Sequence, residues 1–392
     1  MGKKIKLLVF TKTLDGGTGT FVLDFLDIQQ LFKRSRLKIK TLVLEKPSFR
    51  KIKSRKLFYW ANSNYYPEKY TLSLDNIIKF LKEIFWFEKQ VSAFKLDLVL
   101  TIDSHCMLVT DITKLLYRKR FKTIITMHNN LMEVIFVKST PYLHRVLTRI
   151  ITFFLNRANK VVCVSRGLSK NFYSFFKLKK LPQTIYCGLS LKTGRVRKAP
   201  QGRVVILSIA RLAEQKDHET LLKAFHLLQK ERLNPELWLA GEGPLRKKLV
   251  GLGKKLSISK RVKFLGWVQN PTSLIKKCHI FVLSSKREGF GYVLIEAMSQ
   301  GVPVISSDVP FGPSEILGGG KYGILVPPGK PESIKEAILK ILDKNDYEYY
   351  SRMALQRSKQ FSKEKMLKKY KKIIFDLLYG NSPTGSKGIA IE

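Results

Sequence analysis

Two carboxylates set eight residues apart across a glycine loop, Glu288 and Glu296, are the side chains of this 392-residue chain best arranged for chemistry. They lie in SSKREGFGYVLIEAMSQGVPVISSD, 284–308. Apolar strand residues end at Leu283, Gly289 and Gly291 flank Phe290 in a loop that permits close backbone approach, and a helix is predicted from near Tyr292. A helix N-terminus behind a glycine loop offers unpaired amides and a positive dipole end to an anion, while Glu288 can accept hydrogen bonds from hydroxyl groups. Glu296 falls just over one turn inside the helix, on a face that can look back at the same place. One carboxylate before the helix and one within it suit two sugar rings. The competing reading is that Glu288 pairs with Lys286 or caps the helix.

The elements that must position such a loop are legible as alternating strands and helices. IKLLVF (5–10), IKTLVL (39–44), LDLVLTI (96–102), KTIITM (122–127) and KVVCVS (160–165) are near-continuous apolar runs, the pattern of a parallel sheet covered on both faces. Amphipathic stretches of helix length, such as 21–32 and 77–94, lie between them, which is βαβ repetition. A second series follows at 203–210, 236–243, 262–267, 279–285 and 302–308, with amphipathic helices at 332–343 and 363–380. Lys, Arg and Gly dominate 189–203, which reads as the linker. Two open sheets joined once form one cleft, and ligands of doubly wound sheets sit beyond the C-terminal strand ends.

Lys plus Arg number 72 against 30 Asp plus Glu, a net charge of +42. The first 200 residues hold 39 basic and 12 acidic side chains, and from Val134 to Ala213 there are sixteen cations and no carboxylate. Such an excess needs an anionic partner or water. KPSFRKIKSRKLFYWANSNYYPEKY (46–70) interleaves cations with aromatics. That composition suits an anionic membrane surface, single-stranded nucleic acid, or a solvated loop, and we favour the membrane, with no specific nucleic acid expected. Cys106, Cys163, Cys187 and Cys278 lack zinc-type spacing, as expected of a reduced, cytoplasmic chain. No signal peptide is expected at the N-terminus, and the longest apolar run, 146–155, is too short to span a bilayer.

The 284–308 stretch resembles the E-x7-E signature of retaining glycosyltransferase family 4. Around it, SIARLAEQKDHETLLKAF (208–225) is similar to the family's R-x4-K segment, LWLAGEGPLRKKL (237–249) to its Gly-x-Gly-Pro turn, and GILVPPGKPESIKEAI (323–338) to its late strand and helix. GGT (16–18) matches the glycine loop after the first strand, and TMHNN (126–130) resembles the active-site histidine position. IYCGLS (185–190) departs from the Asn-Gly pair common in relatives, and FGPSEIL (311–317) resembles relatives that use UDP-linked donors.

The resemblance implies an α/β GT-B fold of two Rossmann-like doubly wound domains facing a cleft. An acceptor domain would occupy 1–195 and a nucleotide-sugar domain 196–362. Helix 363–380 would pack back on the first domain, and 381–392 would be a disordered tail. By resemblance, Arg211 and Lys216 stabilise the departing diphosphate, Glu296 holds the ribose hydroxyls, and Glu288 holds the donor sugar. Gly289, Phe290 and Gly291 would lie near sugar and phosphate, Gly16 and Gly17 would let the backbone approach the diphosphate, and His128 would lie near the reacting carbon. A core histidine is the alternative for His128; His105 is a weaker candidate. No D-x-D occurs, so no metal and no cofactor are expected.

The implied activity moves a sugar, with retention, from a UDP-hexose or UDP-N-acetylhexosamine to a lipid-linked or lipopolysaccharide-type glycan, on the inner face of the cell membrane. The alternatives are a nucleotide-sugar 2-epimerase of the same fold, a nucleic-acid-binding protein on a GT-B scaffold, and a catalytically silent subunit.

Overall fold

The structure, a computed structural model, describes residues 4–14, 16–32, 37–45, 57–59, 74–129, 141–190, 193–231 and 233–380. Most of 46–70 and the whole tail 381–392 therefore lie outside the described residues. The chain divides into two units: Met1–Cys163, Ser169–Gly188 and Glu364–Glu392 form the first, Val164–Leu168 and Leu189–Lys363 the second.

The first unit is built on seven parallel strands: β1 (Ile5–Thr11), β2 (Leu37–Val43), β3 (Leu57–Tyr59), β4 (Leu98–Ile102), β5 (Lys122–Met127), β6 (Lys160–Cys163) and β7 (Gln183–Thr184). Their order is β3-β2-β1-β4-β5-β6-β7. Leu7 to Phe10 and Leu98 to Leu100 are fully buried, as central strands covered on both faces must be. The chain leaves β1 in one direction to β2 and β3, then resumes at β4 on the other side. Right-handed crossovers therefore put helix Gly16–Leu26 on one face, and helices Leu74–Phe94, Ser104–Leu116 and Pro141–Arg157 on the other. Helix Lys363–Tyr379 packs on the former face, where Tyr370 is buried against Phe21 and Phe25 at ring separations of 5.8 and 5.2 Å and Phe375 stacks on Phe32 at 5.3 Å. The C-terminal helix thus returns to the first unit, as expected.

The second unit carries six parallel strands, β8 (Arg203–Ile209), β9 (Asn234–Ala240), β10 (Val262–Gly266), β11 (Ile280–Leu283), β12 (Val304–Ser307) and β13 (Ile324–Val326), in the order β10-β9-β8-β11-β12-β13. Here too the order reverses, between β8 and β11. Its core joins Leu221, Leu222, Phe225, Leu239, Ile280, Ile338 and Tyr347, and the Tyr347 hydroxyl donates to the His279 carbonyl at 2.9 Å.

The segment read as the linker is anchored. Leu189 exchanges backbone hydrogen bonds with Phe361 and Lys363, and the Arg197 guanidinium donates to the carbonyls of Cys278 (2.6 Å), Gln300 (3.0 Å) and Ile275 (3.2 Å). The division between units accordingly falls after Gly188, not after 195.

Candidate functional site

The loops that follow β8 and β11 lie side by side, because those strands flank the point where the strand order of the second unit reverses. The first loop runs from Ala210 through a short 3-10 turn, Glu214–Lys216, to Asp217, whose left-handed φ of 46° turns the chain into helix His218–Leu228. Four hydrogen bonds tie it to the second loop. Ser284 Oγ donates to the carbonyls of Lys216 (3.1 Å) and Asp217 (3.0 Å), the Lys286 amide donates to the Gln215 carbonyl (2.8 Å), and Gln215 Nε2 donates to the Arg287 carbonyl (2.9 Å).

On this frame Lys216 Nζ meets Glu288 Oε1 at 2.6 Å, and Ser285 Oγ donates to the same oxygen at 2.7 Å. The Glu288 side chain is 8% exposed and that of Lys216 is 22% exposed, so the pair is shielded from bulk water but reachable from one side. The competing partner, Lys286, is exposed and gives only its amide to the loop staple. Arg211 stands exposed earlier in the same loop.

Gly289, Phe290 and Gly291 lead from Glu288 into helix Tyr292–Ser299. Phe290 is 3% exposed, with its ring against Tyr292 and Phe361, so its side chain anchors the loop. Gly291 has φ +101°, and a Cβ on Gly312 would stand 2.2 Å from the Phe290 carbonyl oxygen, so the loop after β12 presses directly on this turn. Glu296 is half-buried, one turn inside the helix.

The second unit also contains a carboxylate that sequence reasoning passed over. Glu315, in helix Pro313–Leu317, accepts from the amides of Arg166 (2.8 Å) and Gly167 (2.6 Å), the first two residues of helix Arg166–Phe175. Its signal was the FGPSEIL segment, noted only as a likeness.

In the first unit, Gly16 and Gly17 are exposed in the first turn of helix Gly16–Leu26, and Gly16 has φ +63° with open space about it. The closest backbone approach in that turn belongs to Gly19, whose Cβ would lie 1.7 Å from the Leu14 carbonyl oxygen. His128 ends β5, is 6% exposed, and meets the Phe21 ring edge-on at 4.5 Å. Its Nε2 has no hydrogen-bond partner, and burial lowers its pKa to about 3, so the imidazole is neutral. His105 instead pairs with Glu83, Nε2 to Oε2 at 2.7 Å, which is a structural role. All four cysteines are free and buried.

With that geometry in view, residues 192–360 match the family model of the glycosyl transferases group 1. An uncharacterized glycosyltransferase of Methanocaldococcus jannaschii is 29% identical over 343 residues, 76% of this chain and 83% of that one. A Campylobacter jejuni N-acetylgalactosamine-N,N'-diacetylbacillosaminyl-diphospho-undecaprenol 4-alpha-N-acetylgalactosaminyltransferase is 32% identical over 162 residues, 41% of this chain and 44% of that protein's length. Among solved structures, Anabaena HepE in complex with UDP-glucose superposes with a TM-score of 0.73 at 18% identity, over 94% of this chain and 99% of that one. The two-sheet architecture is that of GT-B glycosyltransferase structures. The matched residues, 192–360, carry both Lys216 and Glu288 and are similar to the glycosyl transferases group 1.

Proposed function

We propose that the chain transfers a hexose or N-acetylhexosamine from a UDP-linked donor to a lipid-linked or lipopolysaccharide-type glycan, with retention of configuration and without a metal, at the inner face of the cell membrane. The observation that carries this reading is the Lys216–Glu288 contact at the strand-order reversal of the family-matched region.

As the glycosidic bond breaks, the diphosphate gains negative charge. A fixed cation aimed at it lowers the transition state more than the ground state. Lys216 serves as that cation, and in the chain without donor Glu288 and the loop staple hold it in place. Arg211, exposed on the same loop, brings a guanidinium that can grip phosphate bidentately. Glu288, released from Lys216 by the incoming phosphate, accepts from donor-sugar hydroxyls, and Glu296 accepts from the ribose. The amides of Gly289 to Gly291, ahead of helix Tyr292–Ser299, add donors toward sugar and phosphate. His128, neutral, supplies a hydrogen bond to a sugar hydroxyl, and the departing phosphate oxygen takes the acceptor's proton. The donor class is supported by the UDP-glucose complex of the Anabaena relative in fold, and the lipid-linked acceptor by the name of the Campylobacter relative.

Thermal melting against UDP, GDP, ADP and their common sugars, on wild type and Lys216→Ala, tests it. A ligand at about 100 times its dissociation constant stabilises by about 2.7 kcal/mol. A shift with UDP compounds that Lys216→Ala abolishes is the expected result. No shift with any nucleotide overturns the donor assignment.

A further inference from the structure

Ten of the eighteen large apolar side chains that are exposed among the described residues lie on one layer of the first unit. Helices Leu74–Phe94, Ser104–Leu116 and Pro141–Arg157 follow successive crossovers in the same direction and pack side by side on one face of its sheet. Their outward sides therefore form one continuous surface. Leu81 (55% exposed) and Phe85 (53%) stand on the first helix, Leu116 (63%) at the end of the second, and Ile150 and Phe153 on the third.

Cations are set among them. Lys82 and Lys89 are exposed on the first helix, Arg118 just past the second, and Arg145, Arg149 and Arg157 on the third. Two of them lie over the exposed rings: Lys89 Nζ is 4.6 Å from the Phe85 centroid, and Arg157 is 5.2 Å from that of Phe153. Among the described residues of the three helices, Asp75 is the one exposed carboxylate. Glu83 and Asp111 are buried, and Glu88 is engaged by Lys119 at 2.9 Å.

We infer that this three-helix face docks on an anionic lipid leaflet, its apolar side chains entering the headgroup layer and its Lys and Arg pairing with lipid phosphates. A face that leaves this much apolar surface in water is marked for a partner. Pairing with a second copy through the same face would set cation against cation, whereas an anionic leaflet satisfies both the charge and the apolar side chains. Aliphatic Leu and Ile have no stacking role toward nucleic acid bases, but they partition into lipid. The inference deepens the proposal of a lipid-borne acceptor, and its test reads binding rather than transfer.

The experiment is flotation of the full chain with vesicles of phosphatidylcholine alone and of phosphatidylcholine with about one third phosphatidylglycerol. Wild type should float with the anionic vesicles and at least about tenfold less with the neutral ones. The variant Leu81→Ser/Phe85→Ser/Leu116→Ser/Phe153→Ser, whose changes are all on the surface, should keep its melting point and lose about tenfold in binding. Because the native thiols are buried, an environment-sensitive dye on Leu81→Cys is selective. Its emission should shift to the blue on anionic vesicles, while the same dye on Leu265→Cys, in β10, should not.

Equal flotation of wild type and serine variant overturns the inference, and so does an unshifted label at position 81. A label that responds to a single-stranded oligonucleotide and not to vesicles, or a concentration-dependent dimer lost in the serine variant, does the same. The melting shift with UDP compounds is measured separately, so failure of lipid docking and failure of the donor assignment are told apart.

Discussion

Lys216 and Glu288, 72 residues apart in the chain, meet at 2.6 Å from loops on either side of the strand-order reversal in the second unit. The contact is prepared by the backbone. Gln215, Ser284 and Lys286 bind the two loops together, and Ser285 holds the Glu288 oxygen that Lys216 approaches. A cation and a carboxylate fixed this way are neutralised by each other when no donor is present. In the function proposed above, an incoming diphosphate takes the cation and leaves the carboxylate free for hydroxyls.

Lys216→Ala and Glu288→Ala should each lower turnover by at least about 100-fold, the scale of losing one transition-state charge partner. Because the two side chains touch, their effects should not add: the double variant should fall short of the product of the single losses. Steady-state rates on the donor and acceptor that give transfer decide it, and near-wild-type turnover in both single variants sinks the assignment.

The fold was legible because buried parallel strands are spelled as unbroken β-branched and Leu runs: the predicted 122–127 coincides with β5, and 5–10 and 203–210 match β1 and β8 to within a residue. What escaped were β3, β7 and helix Lys344–Ser358. The first two are edge strands of three and two residues, whose existence depends on a neighbour rather than on their own pattern. KNDYEYYSRMALQRS is polar almost throughout, and its buried side includes Tyr and Ser, which do not read as an apolar stripe. The site residues were readable as motifs, but their partners were not. No spacing rule joins Glu288 to Lys216 instead of to Lys286, and Glu315's hold on residues 166 and 167 spans 149 and 148 positions.

Stability should fall in mild acid through His128 and His218. Burial lowers the His128 pKa to about 3, and burial followed by the Lys216 charge lowers that of His218 to about 4, from an ordinary 6.5. Below pH 6.5 the unfolded chain binds protons that the folded chain refuses, so stability is complete above 6.5 and is lost as pH falls toward 4 and then 3, by up to about 1.4 kcal/mol per pH unit for each histidine. Asp111 acts oppositely. Burial raises its pKa from 3.8 to about 7, so its contribution is lost as pH rises through that window. Both ring nitrogens of His218 are buried without partners, so His218→Leu should gain about 1–2 kcal/mol on wild type between pH 7.5 and pH 5. Urea unfolding at the two pH values measures it; parallel losses in both proteins would refute it.

Glu315→Ala should destabilise by about 2 kcal/mol, since it removes two acceptors and a negative charge from the first amides of helix Arg166–Phe175. Glu315→Gln keeps one acceptor oxygen and loses the charge, so it should cost about half as much. Denaturant midpoints order the three proteins, and an Ala variant as stable as wild type would show that the carboxylate is not needed there.

Two helical glycines, one in each unit, predict opposite signs for the same substitution. Gly19 lies inside helix Gly16–Leu26, and an added Cβ would sit 1.7 Å from the Leu14 carbonyl oxygen and 2.3 Å from its carbon. Both atoms are backbone, and the Leu14 side chain is fully buried, so neither side can yield without unseating the helix start from the sheet. Gly19→Ala should therefore cost about 3 kcal/mol or more, at the upper end for a single substitution. Gly251, exposed in helix Arg246–Lys255, has nothing within 4 Å of its Cβ position. There the methyl only restricts the unfolded chain and improves helix propensity, so Gly251→Ala should stabilise by about 0.5–1 kcal/mol. Denaturant unfolding of the two variants beside wild type reads both signs. If Gly19→Ala unfolds at the wild-type midpoint, the close approach of the first turn to Leu14 is not what requires glycine there.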